Sequence, residues 1–142
     1  MHHIVYQSCA IGLPTNAALR FILQQARANN SRLGITGLLL YGNGNFLQVL
    51  EGEADVVQTM YARIQADHRH TRVCVLSDGP VQNRIFMDWS MGFQALSGED
   101  FIRLTGYIDP YRSHFLNAHL PSIDEEMMYL LKSFVVTDGA RL

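Results

Sequence analysis

Followed along the chain, hydrophobic and polar positions single out two short apolar runs around a Gly-Asn-Gly turn, Ile35 to Tyr41 and Phe46 to Glu51. Gly42, Asn43, Gly44 and Asn45 tolerate positive φ, which a tight hairpin requires. The first run is almost wholly apolar, as a central strand covered on both faces would be. The second contains one misfit, Gln48 between Leu47 and Val49. A buried amide without partners costs about 1–3 kcal/mol, so Gln48 must bond either to neighbouring protein groups or to a ligand.

Upstream, the alternation in His3 to Cys9 predicts a strand with Ile4, Tyr6 and Ser8 on one face and Val5, Gln7 and Cys9 on the other. Pro14 and Thr15 open a helix, with Thr15 as cap. Leu19, Ile22, Leu23 and Ala26 form its apolar stripe, and one further turn of that stripe reaches Asn29 and Asn30. Asparagine near Gly34 suits the end of a helix; two amides on a buried face also suit a ligand. Downstream, Glu53 and Asp55 start a second helix where its dipole favours negative charge. Val56, Val57, Met60, Tyr61 and Ile64 form its apolar face, with Arg63 at the flank and spaced to pair with Asp67. Asp67 to His70 reads as a solvated turn rather than a metal site.

Val73 to Leu76 is the fourth strand, followed by a turn at Gly79-Pro80. Ile85 to Phe93 alternates as a fifth, with Phe86, Asp88, Ser90 and Gly92 on one face and Met87, Trp89, Met91 and Phe93 on the other. The order strand, helix, strand, strand, helix, strand, strand predicts an α+β, ferredoxin-like βαββαβ fold with an added fifth strand. Two helices should lie on one face of a mixed sheet. The opposite face, with Val5, Cys9, Leu47 and Val49, needs a cover. C-terminal helices can supply it: a short one from Phe101 to Leu104, and one opened by the capping-box pattern Ser122 to Glu125, with Met127, Leu130, Leu131 and Phe134 on its apolar face.

Composition narrows the chemistry. The 142 residues are 48% hydrophobic with a formal net charge of −2, from 11 Lys+Arg and 13 Asp+Glu. That suits one globular unit and, with no basic run, excludes nucleic acid as the expected partner. No apolar run approaches the roughly 18 residues of a membrane-spanning helix, the N-terminus lacks a signal-peptide pattern, and Cys9 and Cys74 lack metal-type spacing. A cytoplasmic protein is expected. Phosphate-binding glycine loops, nucleophile–base pairs and paired acids are missing from the pattern. If the first and third strands are the central pair, Tyr6 and Gln48 are neighbours. A flat heterocycle between the helices would then meet Tyr6, Gln48, Asn29, Asn30 and Arg63.

These residues carry a resemblance. Ile4-Val5-Tyr6 with Ser8, the Asn29-Asn30 pair, Gly34 to Gly37, Tyr41 to Gly44, Phe46 to Gly52, Tyr61 to Ile64, Asp67 to His70 and Asp88 to Met91 resemble a BLUF domain, a blue-light sensor that uses flavin. The match covers roughly residues 1–96, and the tail resembles the helical extension of short, single-domain members. The resemblance implies a flavin-binding domain at 1–96 and a helical extension at 97–142. It implies noncovalent flavin, FAD or FMN, held by Asn29, Asn30, Gln48 and Arg63. Tyr6 would be the electron and proton donor to the excited flavin, and Gln48 would change its hydrogen bonding. Trp89 and Met91, on the last strand, would relay the change to an unidentified protein effector, since no effector domain fits the remaining residues. The apolar tail suggests a homo-oligomer. Photoreceptor rather than enzyme is the expectation, against two rivals: a small flavin-dependent redox enzyme and a flavin-free ferredoxin-like interaction module.

Overall fold

The computed structural model describes residues 1–87 and 89–101. The expected helices after Phe101, most of the expected 97–142 extension and the face assigned to Asp88 lie outside the described residues. The elements are β1 (His2–Ala10), α1 (Asn16–Leu33), β2 (Thr36–Gly42), β3 (Asn45–Gly52), α2 (Ala54–Gln65), β4 (His70–Pro80) and β5 (Gly92–Ala95). The sheet order is β4-β1-β3-β2-β5. β1 is antiparallel to both β3 and β4, β2 is antiparallel to β3, and β5 runs parallel to β2. This is the ferredoxin-like plan with a fifth strand added at the β2 edge.

Local chemistry accounts for the boundaries. The β2–β3 turn places Asn43 and Gly44 at φ 53° and 72°, the pair of positive values that a two-residue hairpin needs. Thr15 caps α1 by accepting from the Ala18 amide, and Gly34 ends it in the left-handed conformation. The helix therefore runs past Asn29 and Asn30, and neither asparagine is its terminal cap.

Alternation along the strands sorts the core into two layers. Ile4, Tyr6, Leu39 and Leu50 face the helices and meet Leu19, Leu23, Val57 and Met60. Val5, Leu38, Leu40, Leu47 and Val49 face the other way and are covered by Phe86, Trp89 and Phe101. Part of the expected cover thus comes from the stretch before β5, and Phe101, in a helical turn at 98–101, is 1% exposed against it.

Three local expectations are corrected. β4 runs on through Gly79 and Pro80 instead of turning there, because it pairs with β1 from Ala10↔His70 to His2↔Pro80. The predicted strand from Ile85 does not form: residues 85–87 and 89–91 are bends and turns, and only Gly92–Ala95 is strand. Their side chains accordingly do not alternate. Phe86 and Trp89 share the lower layer, Met91 and Phe93 the helix-side layer, and Met87 is exposed. Third, Asp67 pairs with Arg69 and not with Arg63, through Arg69 Nε at 3.0 Å to both carboxylate oxygens.

Candidate functional site

The β1–β3 register brings Tyr6 directly opposite Gln48. Both side chains point toward the helices, and both are buried. The Tyr6 hydroxyl donates to Gln48 Oε1. The other end of the amide, Nε2, donates to Met91 Sδ at 3.6 Å, a weak acceptor. Gln48 therefore bridges a phenol and a thioether. Burial pushes the Tyr6 phenol well above its ordinary pKa, so it stays protonated and able to donate. Its ring lies 5.5 Å from Tyr61 and 6.2 Å from His70.

Above this pair, a cavity of about 260 Å³ opens between α1 and α2. Tyr6, Leu39, Gln48 and Leu50 form its buried floor. Asn29, Asn30 and Ala26 line the α1 side, and Met60, Arg63 and Ile64 the α2 side. Gln25, Arg63 and Arg69 are exposed and make a polar rim. Asn30 is 2% exposed, and its Nδ2 donates to the Ser90 carbonyl at 2.8 Å. One amide hydrogen and the carbonyl oxygen of Asn30 remain for a ligand. Asn29 is half-buried and accepts from Arg32 at 3.3 Å.

The sequence-derived residues divide cleanly. Tyr6, Gln48, Asn29, Asn30 and Arg63 all line the one cavity. Met91 touches Gln48, whereas Trp89 lies in the opposite layer beside Phe86, with ring centroids 5.7 Å apart. Other residues here escaped the sequence reading. Arg27 Nε donates to the Met91 carbonyl at 2.9 Å; counting on by four from Leu19 and Leu23 would have reached it. His70, read as part of a solvated turn, lines the cavity and is held by Ser8 Oγ at 2.8 Å and the Ile64 carbonyl at 2.6 Å. Asp67 and Arg69 also line the cavity; their pairing holds the Asp67 carboxyl down to about 2.

A cavity lined by amides, with Leu39 and Leu50 beside Tyr6 and Gln48 on its floor, suits a flat heterocycle that shows carbonyl and N–H groups at its edge. Comparison with known proteins identifies the family. Residues 1–92 match the family model described as BLUF, sensors of blue-light using FAD. The chain belongs to this family and is a blue-light photoreceptor that uses flavin.

It is 36% identical over 81 residues to the photoactivated adenylate cyclase subunit beta of Euglena gracilis, an overlap of 55% of this chain and 9% of that protein. The chain thus spans about a tenth of the length of such relatives. Among solved structures, it resembles the BLUF protein BlrB in its dark state, with TM-score 0.69, 26% identity and coverage of 96% of both chains. It also resembles BlsA in its ground state, with TM-score 0.67, 27% identity and coverage of 89% of this chain and 91% of that one. A bacterial light-regulated adenylyl cyclase matches with TM-score 0.62 and 26% identity, over 98% of this chain and 36% of that one.

Proposed function

We propose that Tyr6 and Gln48 are the photoactive pair of this receptor, with the flavin ring held above them by Asn29, Asn30 and Arg63. The observation that carries this reading is the Tyr6–Gln48–Met91 chain of hydrogen bonds on the cavity floor. When bound and illuminated, the flavin supplies an excited electron acceptor. Tyr6 would pass an electron to that acceptor and its hydroxyl proton by way of Gln48 Oε1, to which it donates, together because a phenolate is disfavoured where it is buried; both would return to Tyr6 as the excitation decays. Gln48 then turns its amide over or changes tautomer. Rotation exchanges its two ends: Nε2 faces the Tyr6 oxygen, and Oε1 faces Met91 Sδ. Sulfur has no proton to donate there, so the Gln48–Met91 contact is lost. That loss is the local event that the Met91 stretch and β5 would pass on, with Trp89 reporting it from the lower layer. Signalling requires light to change the free-energy gap between the two arrangements.

The remaining assignments complete the same reading. FAD is the proposed form of the flavin, as the family's description has it; a neighbouring solved structure, of BlrP1 from Klebsiella pneumoniae, is with FMN. The output is contact with an effector protein, and the chain itself carries no turnover. A boundary near residue 96, cytoplasmic location and homo-oligomeric assembly belong to the proposal. Among the described residues, no helix is long and apolar enough to cross a membrane.

The deciding experiment is a visible spectrum of the flavin-loaded protein, dark and then after blue light, with recovery followed in the dark. A small red shift that reverses is expected, and Tyr6→Phe should bind flavin without it. Steady oxidation of a reduced nicotinamide would overturn the sensor reading in favour of a redox enzyme.

A further inference from the structure

Glu51 is the one buried acid among the described residues, at 1% exposure. It stands three positions after Gln48 on β3, so its side chain leaves the opposite face of the sheet. Its carboxylate is filled by donors from two directions. Oε1 accepts from the Thr36 hydroxyl at 2.8 Å and the Phe86 amide at 2.7 Å, and Oε2 accepts from the Ile85 amide at 3.0 Å. Arg84 reinforces the cluster, donating to Thr36 Oγ1 at 3.0 Å and to the Glu51 carbonyl at 3.2 Å. A carboxylate that takes consecutive backbone amides fixes a turn as a helix cap fixes a first turn.

From that turn, a continuous line of bonds leads back to Gln48. Trp89 N donates to the Phe86 carbonyl at 2.9 Å, and the Trp89 carbonyl accepts from Gly37 N at 3.0 Å. The next two carbonyls, of Ser90 and Met91, accept from Asn30 and Arg27 on α1. Met91 Sδ then meets Gln48. One strand therefore holds both ends of the stretch that carries Trp89 and Met91: Glu51 from below, Gln48 from above. Gly37 makes this possible at β2, since a Cβ there would stand 3.4 Å from Met91 Cε and 1.9 Å from the Val49 carbonyl oxygen.

We propose that Glu51 is a positioning residue of the light response, the fixed end against which the change at Gln48 displaces Trp89 and Met91. This rests on the photoreceptor reading above. Without the carboxylate, the stretch can drift at both ends, and the loss of the Gln48–Met91 contact no longer produces a defined displacement at Trp89. Glutamine is the informative replacement. Its one carbonyl oxygen can keep Thr36 and Phe86, but its NH2 group confronts the Ile85 amide, donor against donor.

The test uses the full chain loaded with FAD. The chain has a single tryptophan, so indole fluorescence excited at the red edge, beyond tyrosine absorption, reports the stretch at Trp89, while visible absorption reports the flavin. In Glu51→Gln, the flavin red shift is expected to keep its amplitude. The dark-to-light difference at Trp89 should largely disappear, and dark recovery should quicken by roughly tenfold, the factor that loss of one charge-assisted hydrogen bond carries. A merely structural role would lower the melting temperature and leave the Trp89 difference intact. That result, with unchanged recovery, overturns the proposal. If Glu51→Gln does not fold, Thr36→Val removes one bond to the same oxygen; a smaller loss in the same direction supports the proposal, and an unchanged Trp89 difference rejects it. Absence of a red shift in the unsubstituted protein strikes at the photoreceptor reading instead, so the two failures are distinguishable.

Discussion

The two faces of the sheet are made from alternate residues of the same strands, yet they are built on different rules. Below, Val5, Leu38, Leu40, Leu47 and Val49 meet Phe86, Trp89 and Phe101 in an apolar layer. Its one buried acid, Glu51, has three donors on its carboxylate. Above, apolar packing is interrupted by Tyr6, Gln48 and Asn30 around a 260 Å³ cavity, and Gln48 spends an amide hydrogen on a thioether. One face is optimised for burial and the other leaves hydrogen-bonding capacity unspent. A strand can thus hold stability and chemistry one residue apart, as Leu47, Gln48 and Val49 do.

Substitutions should separate the two roles. The largest effect is expected from Tyr6→Phe, which keeps the ring and removes the hydroxyl: flavin stays bound, and the light-minus-dark difference spectrum falls to baseline. Phe86→Ala addresses the other face. It should cost about 3–5 kcal/mol of stability, the usual range for a fully buried phenylalanine, measured by urea denaturation, and leave the red shift of the surviving folded protein intact. Asn30→Ala removes the bond to Ser90 and the proposed contact with the flavin ring. It should weaken flavin binding by roughly 10- to 100-fold, corresponding to about 1–3 kcal/mol for a lost buried partner, read by fluorescence titration.

The smallest effect concerns the cavity rim. The Arg69 guanidinium holds the Asp67 carboxyl at about 2 in the folded protein, below its ordinary 3.8. A depressed acid contributes stability above its unfolded value, and that contribution is lost as pH falls from about 4 toward 2. The pair is partly solvent-exposed, with side chains 45% and 28% accessible, so screening limits it to under about 1 kcal/mol. Melting temperatures of the native protein and Asp67→Asn should converge over that window and differ slightly above it.

How much of this was legible in the sequence depends on whether local pattern or distant contact decides the conformation. The hairpin was legible because Asn43-Gly44 is both the turn and its cause. The facing of Tyr6 and Gln48 was legible because strand parity and the ferredoxin-like order leave few alternatives. Asn30 was reached by extending a helical stripe. The stretch before β5 failed for the opposite reason. Phe86, Met87, Trp89 and Met91 imitate a strand's alternation, but the Phe86 amide and the Trp89, Ser90 and Met91 carbonyls are taken by Glu51, Gly37, Asn30 and Arg27 respectively, from elements far away in sequence. Arg27 was overlooked although it continues the Leu19–Leu23 spacing, because its charge suggests a surface; His70 was overlooked because only tertiary structure brings Ser8 and the Ile64 carbonyl to its ring.

The two-residue turn between β2 and β3 has a consequence for how the protein comes into being. Its strands are adjacent in sequence, so their hairpin can close on the microsecond scale, about 1–10 μs. The Tyr6–Gln48 bond spans 42 residues, and β1 must also find β4, with His3 bonding Ser77 across 74. These long closures are the slow, entropically costly ones. By that argument the Tyr6–Gln48 pair is expected to be completed late, when β1 inserts between β4 and β3. A flavin added during refolding should leave the early phase unchanged and, by binding only the finished site, draw the last step forward.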